Sequence, residues 1–116
     1  MDTLLVRQKI IRSMIRVDDR TKNMRKPEKF QMRENLTQAY INMLEWCTRA
    51  NKSRGKERVN CQKEMDVQLE IIRSLIDFAV SPDVKLISPG LHELWSKELD
   101  EIGRLLGGWM KYPSDE

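Results

Sequence analysis

The side chains that could do chemistry in this sequence are mainly basic ones, spaced for one side of a helix. Four of them follow at steps of three or four residues in the first segment, namely Lys9, Arg12, Arg16 and Arg20. Arg25 and Lys26 extend this basic row into the connection that follows. Residues at such steps share one face of an α-helix. Cations in a row neutralise phosphates and release counterions, which predicts nucleic-acid binding that weakens steeply with salt.

A second basic group surrounds the one glycine in the middle of the chain. Its predicted nucleic-acid contacts are Arg54, Lys56 and Arg58, with Arg49, Lys52 and Lys63 nearby. No aromatic side chain interleaves the basic row in the manner of a base-stacking platform, so we expect binding driven by shape and charge. Solvated surfaces, or an acidic protein partner, remain open as alternatives.

Histidine occurs once, as His92, which limits the catalytic chemistry available. A nucleophilic triad needs a general base beside the nucleophile. In some helical-bundle ribonucleases an arginine precedes the histidine with four to six residues between them, but here those positions are Ile87, Leu86 and Lys85. A di-iron bundle needs Glu-x-x-His pairs on two helices, and Pro89 stands where the glutamate would be. We therefore expect a surface or capping role for His92, no enzyme activity, and no metal or cofactor.

The carboxylates of the last segment are spaced for ion pairs. Glu93, Lys97 and Glu101 follow at four-residue intervals, and Asp100 stands four residues before Arg104. Pairs at this spacing support the surface of a helix. We expect that role for them and not acid–base catalysis.

Two cysteines, Cys47 and Cys61, each lie seven residues from Arg54 and would be neighbours across a hairpin that turns there. Zinc requires four ligands, which two cysteines cannot supply. Both lie on apolar stripes, so reduced core residues are expected. A disulfide between them remains open.

Glycines within the last apolar stripe are unusual, because each interior glycine costs a helix roughly 1 kcal/mol relative to alanine. Gly103 and Gly107 are four residues apart and share a face, and Trp109 continues the apolar stripe beyond Gly108. The pattern predicts close helix packing at Gly103, Gly107 and Trp109, within or between subunits. The alternative is that Gly107 and Gly108 end the helix.

Four apolar stripes with three- and four-residue spacing position all these side chains. They predict helices over about 3–25, 27–51, 56–80 and 88–111, with Gly55 ending the second and Ser88-Pro89 opening the fourth. No segment has the alternation of a strand. Long helices with short connections predict an all-α, antiparallel up-down-up-down four-helix bundle, in one domain over 1–116.

Charge is distributed unevenly along the 116 residues, although the net charge is only +3. Residues 1–33 have a balance of +6, residues 49–63 of +5 and residues 64–116 of −6. Such asymmetry indicates a polyanionic partner or complementary subunits. No apolar run approaches a membrane span and no secretory signal opens the chain, so we expect a cytosolic protein without a membrane partner.

The run Glu101–Lys111, EIGRLLGGWMK, resembles the C-terminal signature of the Avd proteins (accessory variability determinant) of diversity-generating retroelements. These are similar in turn to the four-helix-bundle proteins encoded in rRNA intervening sequences. Arg25–Phe30 and Lys85–Ser88 also match, and the first helix matches by pattern only. The resemblance implies a bundle that assembles into a barrel-like pentamer with a basic surface. It further implies binding to a reverse transcriptase and to RNA, possibly also DNA, in support of mutagenic copying of a template repeat.

Three functions therefore compete. The first is a non-enzymatic accessory subunit that binds reverse transcriptase and template RNA or cDNA. The second is an RNA-binding or structural module of the rRNA-insertion type, without a polymerase partner. The third is a helical ribonuclease, which cleavage abolished by His92→Ala would support.

Overall fold

The computed structural model describes residues 3–21 and 27–111, and these residues form four α-helices. The helices are α1 (Thr3–Thr21), α2 (Pro27–Asn51), α3 (Gly55–Val80) and α4 (Pro89–Lys111). The described residues contain no strand, so the all-helical prediction is confirmed. The sequence extended the first helix to about residue 25, whereas the described helix ends at Thr21, and residues 22–26 lie outside the described part of the chain.

The connection between α2 and α3 differs from the expectation that Gly55 ends the second helix. α2 ends at Asn51, and Gly55 is instead the first residue of α3. Its φ of +57° lies in the left-handed region, which glycine adopts without the steric cost that a Cβ would impose. Arg54 before it is extended, with φ of −137° and ψ of 161°. The glycine therefore allows the chain to reverse within three residues.

The start of α4 is capped by a side chain. Ser88 Oγ accepts a hydrogen bond of 3.1 Å from the backbone N–H of Leu91, one of the amides that a helix start leaves without a partner. Upstream, Leu86 and Ile87 donate their backbone N–H groups to the carbonyl of Ala79, at 2.7 and 3.2 Å. These bonds hold the α3–α4 connection against the end of α3.

Contacts between helices show that neighbours run antiparallel. Arg33 on α2 pairs with Asp18 on α1, and Asn42 bonds to Gln68 on α3. α3 packs against α4, and α4 packs back against α1, which closes the bundle. The principal-axis extents are 47, 22 and 21 Å. We call the end formed by the start of α1, the α2–α3 connection and the end of α4 the hairpin end.

The core runs the length of the bundle and is formed by the predicted stripes. Its largest fully buried side chains include Trp95, Trp109 and Tyr40, packed among Ile10, Leu36, Met65 and Ile102. Burial of a large apolar side chain contributes about 1.5–3 kcal/mol relative to exposure, so these residues dominate the stability of the bundle. Among the described helices, none is long and apolar enough to cross a membrane.

Candidate nucleic-acid interface

The basic row of α1 lies along α4, where acidic side chains face it. Lys9 Nζ lies 2.8 Å from Glu101 Oε1, and Arg16 Nη1 lies 2.9 Å from Glu98 Oε2. Arg20 Nη2 lies 2.9 Å from the same Glu98 oxygen. Three of the four predicted phosphate contacts are therefore ion-paired within the chain.

Arg12 differs from the other three members of the row. It is exposed and forms no ion pair with a described residue. Arg104 on α4 is also exposed and without an ion pair in the described part of the chain. Both lie near Glu101, whose pKa is lowered chiefly by its hydrogen bond from Lys9 and further by the charges of Lys9, Arg104 and Arg12. Cations thus surround this carboxylate on several sides.

We call the surface formed by these residues the α1–α4 face. Its members are Lys9, Arg12, Arg16, Arg20, Glu98, Glu101 and Arg104. Five cations against two carboxylates leave a net charge of +3. A surface with this excess attracts a polyanion even though part of its charge is paired internally.

Glu98 was not anticipated from the sequence, and it is the central residue of the α1–α4 face. It follows the buried Trp95 by three residues and precedes the buried Leu99, so it stands at the edge of the apolar stripe of α4. That edge position is a sequence signal for a side chain beside a neighbouring helix. The sequence does not show which helix lies beside that edge. The contact of Glu98 with Arg16 and Arg20 follows only from the packing of α1 on α4.

A buried polar network connects Glu98 to the core. Trp95 Nε1 donates a hydrogen bond of 2.9 Å to the Tyr40 hydroxyl, which lies 2.6 Å from Ser13 Oγ. Ser13 donates in turn towards Glu98 Oε1 at 3.5 Å. Burial raises the pKa of Tyr40, against the opposing effect of its bonds with Ser13 and Trp95. The phenol is therefore neutral at physiological pH. Its hydroxyl connects α2 to Ser13 of α1 and to Trp95 of α4.

The second basic group divides into exposed and buried members. Arg54 and Lys56 are exposed at the hairpin end and form no ion pair with described residues. Arg58 is only 4% exposed. The structure contradicts the expectation that Arg58 contacts phosphate.

Arg58 has a structural role instead. Its Nε donates a hydrogen bond of 3.0 Å to the carbonyl of Ala50, and its guanidinium lies 5.9 Å from the centroid of the Trp109 ring. The last carbonyls of a helix have no partner within it, and Arg58 supplies one for α2. Its spacing of three, four and seven residues from Cys61, Gln62 and Met65, all buried, was the available sign in the sequence that it belongs to the inner face.

Arg25 and Lys26, the remaining predicted contacts, lie outside the described residues.

The glycines of α4 have different surroundings. A Cβ at Gly103 would lie 3.3 Å from Arg73 Nη2 and 3.4 Å from Leu69 Cδ2, so α3 packs tightly there. A Cβ at Gly107 would meet nothing within 4 Å. Trp109 is fully buried, and α4 continues through all three glycines to Lys111. The alternative that Gly107 and Gly108 end the helix is wrong.

Other polar residues of α4 connect helices. His92 Nε2 lies 2.7 Å from Asp77 Oδ1 of α3, and Asp100 pairs with Arg73 of α3 at 2.7 Å. Of the ion pairs expected along α4, only Glu93 with Lys97 forms, at 3.6 Å. Asp100 and Glu101 reach neighbouring helices, because both stand at the flanks of the buried stripe and not on its outer side.

Both cysteines are buried and free. Burial raises the pKa of the Cys47 thiol to about 11, against the opposing charge of Arg7. A thiol with such a pKa is a weak nucleophile at neutral pH. The described residues contain no group of three or more metal-ligating side chains.

The fold and the surface together define the class of this protein: an antiparallel four-helix bundle with a positively charged face between its first and last helices. Comparison with protein families matches residues 4–113 to the bAvd-like family. The chain belongs to the bAvd-like family, which confirms the resemblance seen in its C-terminal motif. Searches of the curated proteins and of the solved structures gave no significant match.

Proposed function

We propose that this protein is a non-enzymatic accessory subunit of a diversity-generating retroelement, acting in the cytoplasm. In this function it binds the element's reverse transcriptase and the template RNA or its cDNA during mutagenic reverse transcription. The observation that carries the proposal is membership of the bAvd-like family over residues 4–113. The net charge of +3 on the α1–α4 face and the exposed cations of the hairpin end support the nucleic-acid part.

The proposed phosphate contacts are four exposed cations that form no ion pair with a described residue. They are Arg12 and Arg104 on the α1–α4 face, and Arg54 and Lys56 at the hairpin end. The ion-paired cations of the face, Lys9, Arg16 and Arg20, add to its positive electrostatic potential. When RNA binds, they exchange their carboxylate partners for phosphates. Arg25 and Lys26 remain proposed contacts by their place at the end of the basic row.

A salt titration tests the nucleic-acid part. Binding of a labelled single-stranded RNA is measured at several salt concentrations for the wild type and for Arg12→Gln/Arg104→Gln. Each lost phosphate contact reduces the slope of log K against log salt by about 0.7, so the double variant should lose about 1.4. Lys85→Gln/Lys97→Gln removes the same charge outside both the α1–α4 face and the hairpin end and serves as the control. Equal slopes for both double variants would refute the assignment of the face.

The polymerase part is tested by copying a template repeat in vitro. The reverse transcriptase encoded beside this gene should bind the bundle in a pull-down and should synthesise mutagenised cDNA only when the bundle is present. Full cDNA synthesis without it would reject the accessory function. A gene neighbourhood without a reverse transcriptase and paired repeats would favour the rRNA-insertion type.

We further propose that the bundle self-associates, as a ring or barrel of the pentameric kind that the family resemblance implies. Large apolar side chains are exposed on several helices, among them Ile15 at 64%, Phe78 at 56% and Phe30 at 55%. Val67 and Ile71 share the outer side of α3 with Phe78, at steps of four and seven residues. Burial of such surface between subunits is favourable. Light scattering behind a sizing column should give a multiple of 13.8 kDa, and a monomer at micromolar concentration would contradict the proposal.

A further inference from the structure

The side of the bundle opposite the α1–α4 face contains a groove between α2 and α3, close to the hairpin end. Its volume is about 550 Å³. α2 and the α2–α3 connection contribute Trp46, Arg49, Lys52 and Ser53, and α3 contributes Glu57, Asn60, Cys61 and Glu64. The groove therefore combines one aromatic ring with donors, acceptors and charges.

Trp46 is the tryptophan that a ligand can reach. Trp95 and Trp109 are both 0% exposed, whereas Trp46 is partly exposed and packs against the core from one side. The Arg49 guanidinium lies 5.5 Å from the centroid of the Trp46 ring. A planar cation thus occupies the position over the ring that a flat ligand would take.

Arg49 is held in that position only weakly. Its Nη2 lies 2.9 Å from Glu45 Oε1, but the two side chains are 58% and 55% exposed. Ion pairs this exposed contribute little to stability, because water screens the charges and the long side chains lose freedom. Arg49 can therefore leave the ring for a stronger anionic partner at small cost.

The interior of the groove and its rim differ in net charge. Within the groove the cations Arg49 and Lys52 balance the carboxylates Glu57 and Glu64. Three further exposed cations, Arg54, Lys56 and Lys63, stand next to lining residues in the sequence and form no ion pair with described residues, and we call these three the rim. Lys56 and Lys63 stand four residues before and three residues after Asn60, so they share its face of α3. Such a site favours a neutral planar group inside and anions outside.

We propose that this groove binds a nucleobase of single-stranded RNA or DNA by stacking it on Trp46. The base displaces the Arg49 guanidinium, which turns to the adjoining phosphate. Asn60 and Glu64 lie where they can hydrogen-bond the edge of the base, and the cations of the rim contact the backbone. The strand is single because the bases of a duplex are not free to stack on a side chain. This inference rests on the proposed function and names a base-recognition site within it.

Intrinsic fluorescence tests the inference without any substitution. Because Trp46 is partly exposed whereas Trp95 and Trp109 are fully buried, stacking of a base should quench the fluorescence that iodide also quenches. The probes are a short oligouridylate and an abasic strand of the same length and charge. We expect the intact strand to quench this fluorescence and to bind about 5- to 150-fold more tightly than the abasic strand, the range of a single base–aromatic stack.

The variants Trp46→Leu and Trp46→Phe complete the experiment. Trp46→Leu should bind the intact strand as weakly as the abasic one, with an unchanged salt slope, whereas Trp46→Phe should retain most of the difference. Equal affinity of the wild type for the two strands, or an intact strand that binds without quenching, would overturn the inference while leaving the proposed function standing. Failure of both strands to bind at low salt would overturn the two together.

Discussion

Arg20 donates hydrogen bonds to both carboxylate oxygens of Glu98, at 2.9 Å to Oε2 and 3.4 Å to Oε1. Arg16 approaches Oε2 from the neighbouring turn of α1, also at 2.9 Å. A carboxylate held between two guanidinium groups occupies a position suited to a phosphate, because arginine binds both with the same geometry. Glu98 thus connects α1 to α4 and competes with any anion that approaches this part of the α1–α4 face.

Glu98→Gln should therefore strengthen RNA binding. RNA no longer has to displace a carboxylate from Arg16 and Arg20, so affinity should rise at every salt concentration, while the number of phosphates bound, and with it the salt slope, should change little. The change is measured by fluorescence anisotropy across a salt series. Glu93→Gln, on the exposed side of α4, removes the same charge outside the face and should have a much smaller effect. An affinity for Glu98→Gln no higher than that of the control would show that Arg16 and Arg20 do not contact RNA.

Arg58→Ala should destabilise the bundle without removing a phosphate contact. The substitution leaves the carbonyl of Ala50 without its donor and removes the guanidinium beside Trp109, so a loss of about 2–4 kcal/mol is expected. Urea unfolding followed by circular dichroism measures it. Arg54→Ala and Lys56→Ala, at exposed positions, should change the free energy of unfolding by less than about 0.5 kcal/mol.

RNA affinity separates the two kinds of residue further. Under conditions where Arg58→Ala remains folded, it should bind RNA like the wild type, whereas Arg54→Ala and Lys56→Ala should bind more weakly. Weaker RNA binding by Arg58→Ala, with unchanged binding by Arg54→Ala and Lys56→Ala, would show that Arg58 contacts RNA after all.

Alkaline pH should destabilise the protein through Cys47. Its pKa is raised from 9.0 to about 11 by burial, so the unfolded chain loses the thiol proton at a lower pH than the folded chain. The contribution of this thiol to the free energy of unfolding is fully present below pH 9 and is lost as the pH rises towards 11. The loss amounts to about 1–3 kcal/mol, since one pKa unit corresponds to about 1.4 kcal/mol.

The contribution of the thiol is isolated by comparing unfolding of the wild type and Cys47→Ala in reducing buffer between pH 8 and about 11. The variant is less stable at pH 8 because it leaves a small cavity, but it should lose less stability as the pH rises. Tyr40, whose pKa is also raised, contributes equally to both curves. Parallel plots of the free energy of unfolding against pH for the two proteins would show that the thiol has the same pKa in the folded and the unfolded state.

Alanine substitutions at the α4 glycines should have unequal effects. Gly107→Ala adds a Cβ in open space and should gain up to about 1 kcal/mol of helix stability. At Gly103 the new Cβ would press against Arg73 and Leu69, so Gly103→Ala should gain less or lose stability. Thermal unfolding at matched concentration measures both. A Gly107→Ala protein that is more stable yet falls into smaller oligomers would place Gly107 at the proposed subunit contact.

Much of the fold could be read from the sequence because helices depend on local chemistry. Apolar residues at three- and four-residue spacing define the buried face of each helix, and Ser88 with Pro89 signals the start of α4 through the amides left free there. The role of Gly55 was predicted wrongly. A glycine with positive φ can end one helix, or it can stand at the start of the next helix after a chain reversal, as Gly55 does. Local sequence does not distinguish these two uses.

The interface was only partly readable, for reasons that individual residues show. The basic row of α1 was visible in the spacing of Arg12 and Arg16, but not the carboxylates of α4 that meet it. Arg58 was counted as surface charge because nothing local to it reveals the carbonyl of Ala50 eight residues earlier. Trp46 stands only three residues before Arg49 in the sequence, but that its ring lines a groove beside the residues of α3 depends on the packing of α2 on α3.

The sequence by itself determined where the helices lie, which side of each is apolar, and that the chain carries an excess of positive charge in two stretches. Only the tertiary structure decided which charges are free, because ion pairs form between residues up to 92 positions apart, as Lys9 and Glu101 do. Pairing of this kind depends on the antiparallel order and register of packed helices, and these follow from the fit of all four apolar faces at once.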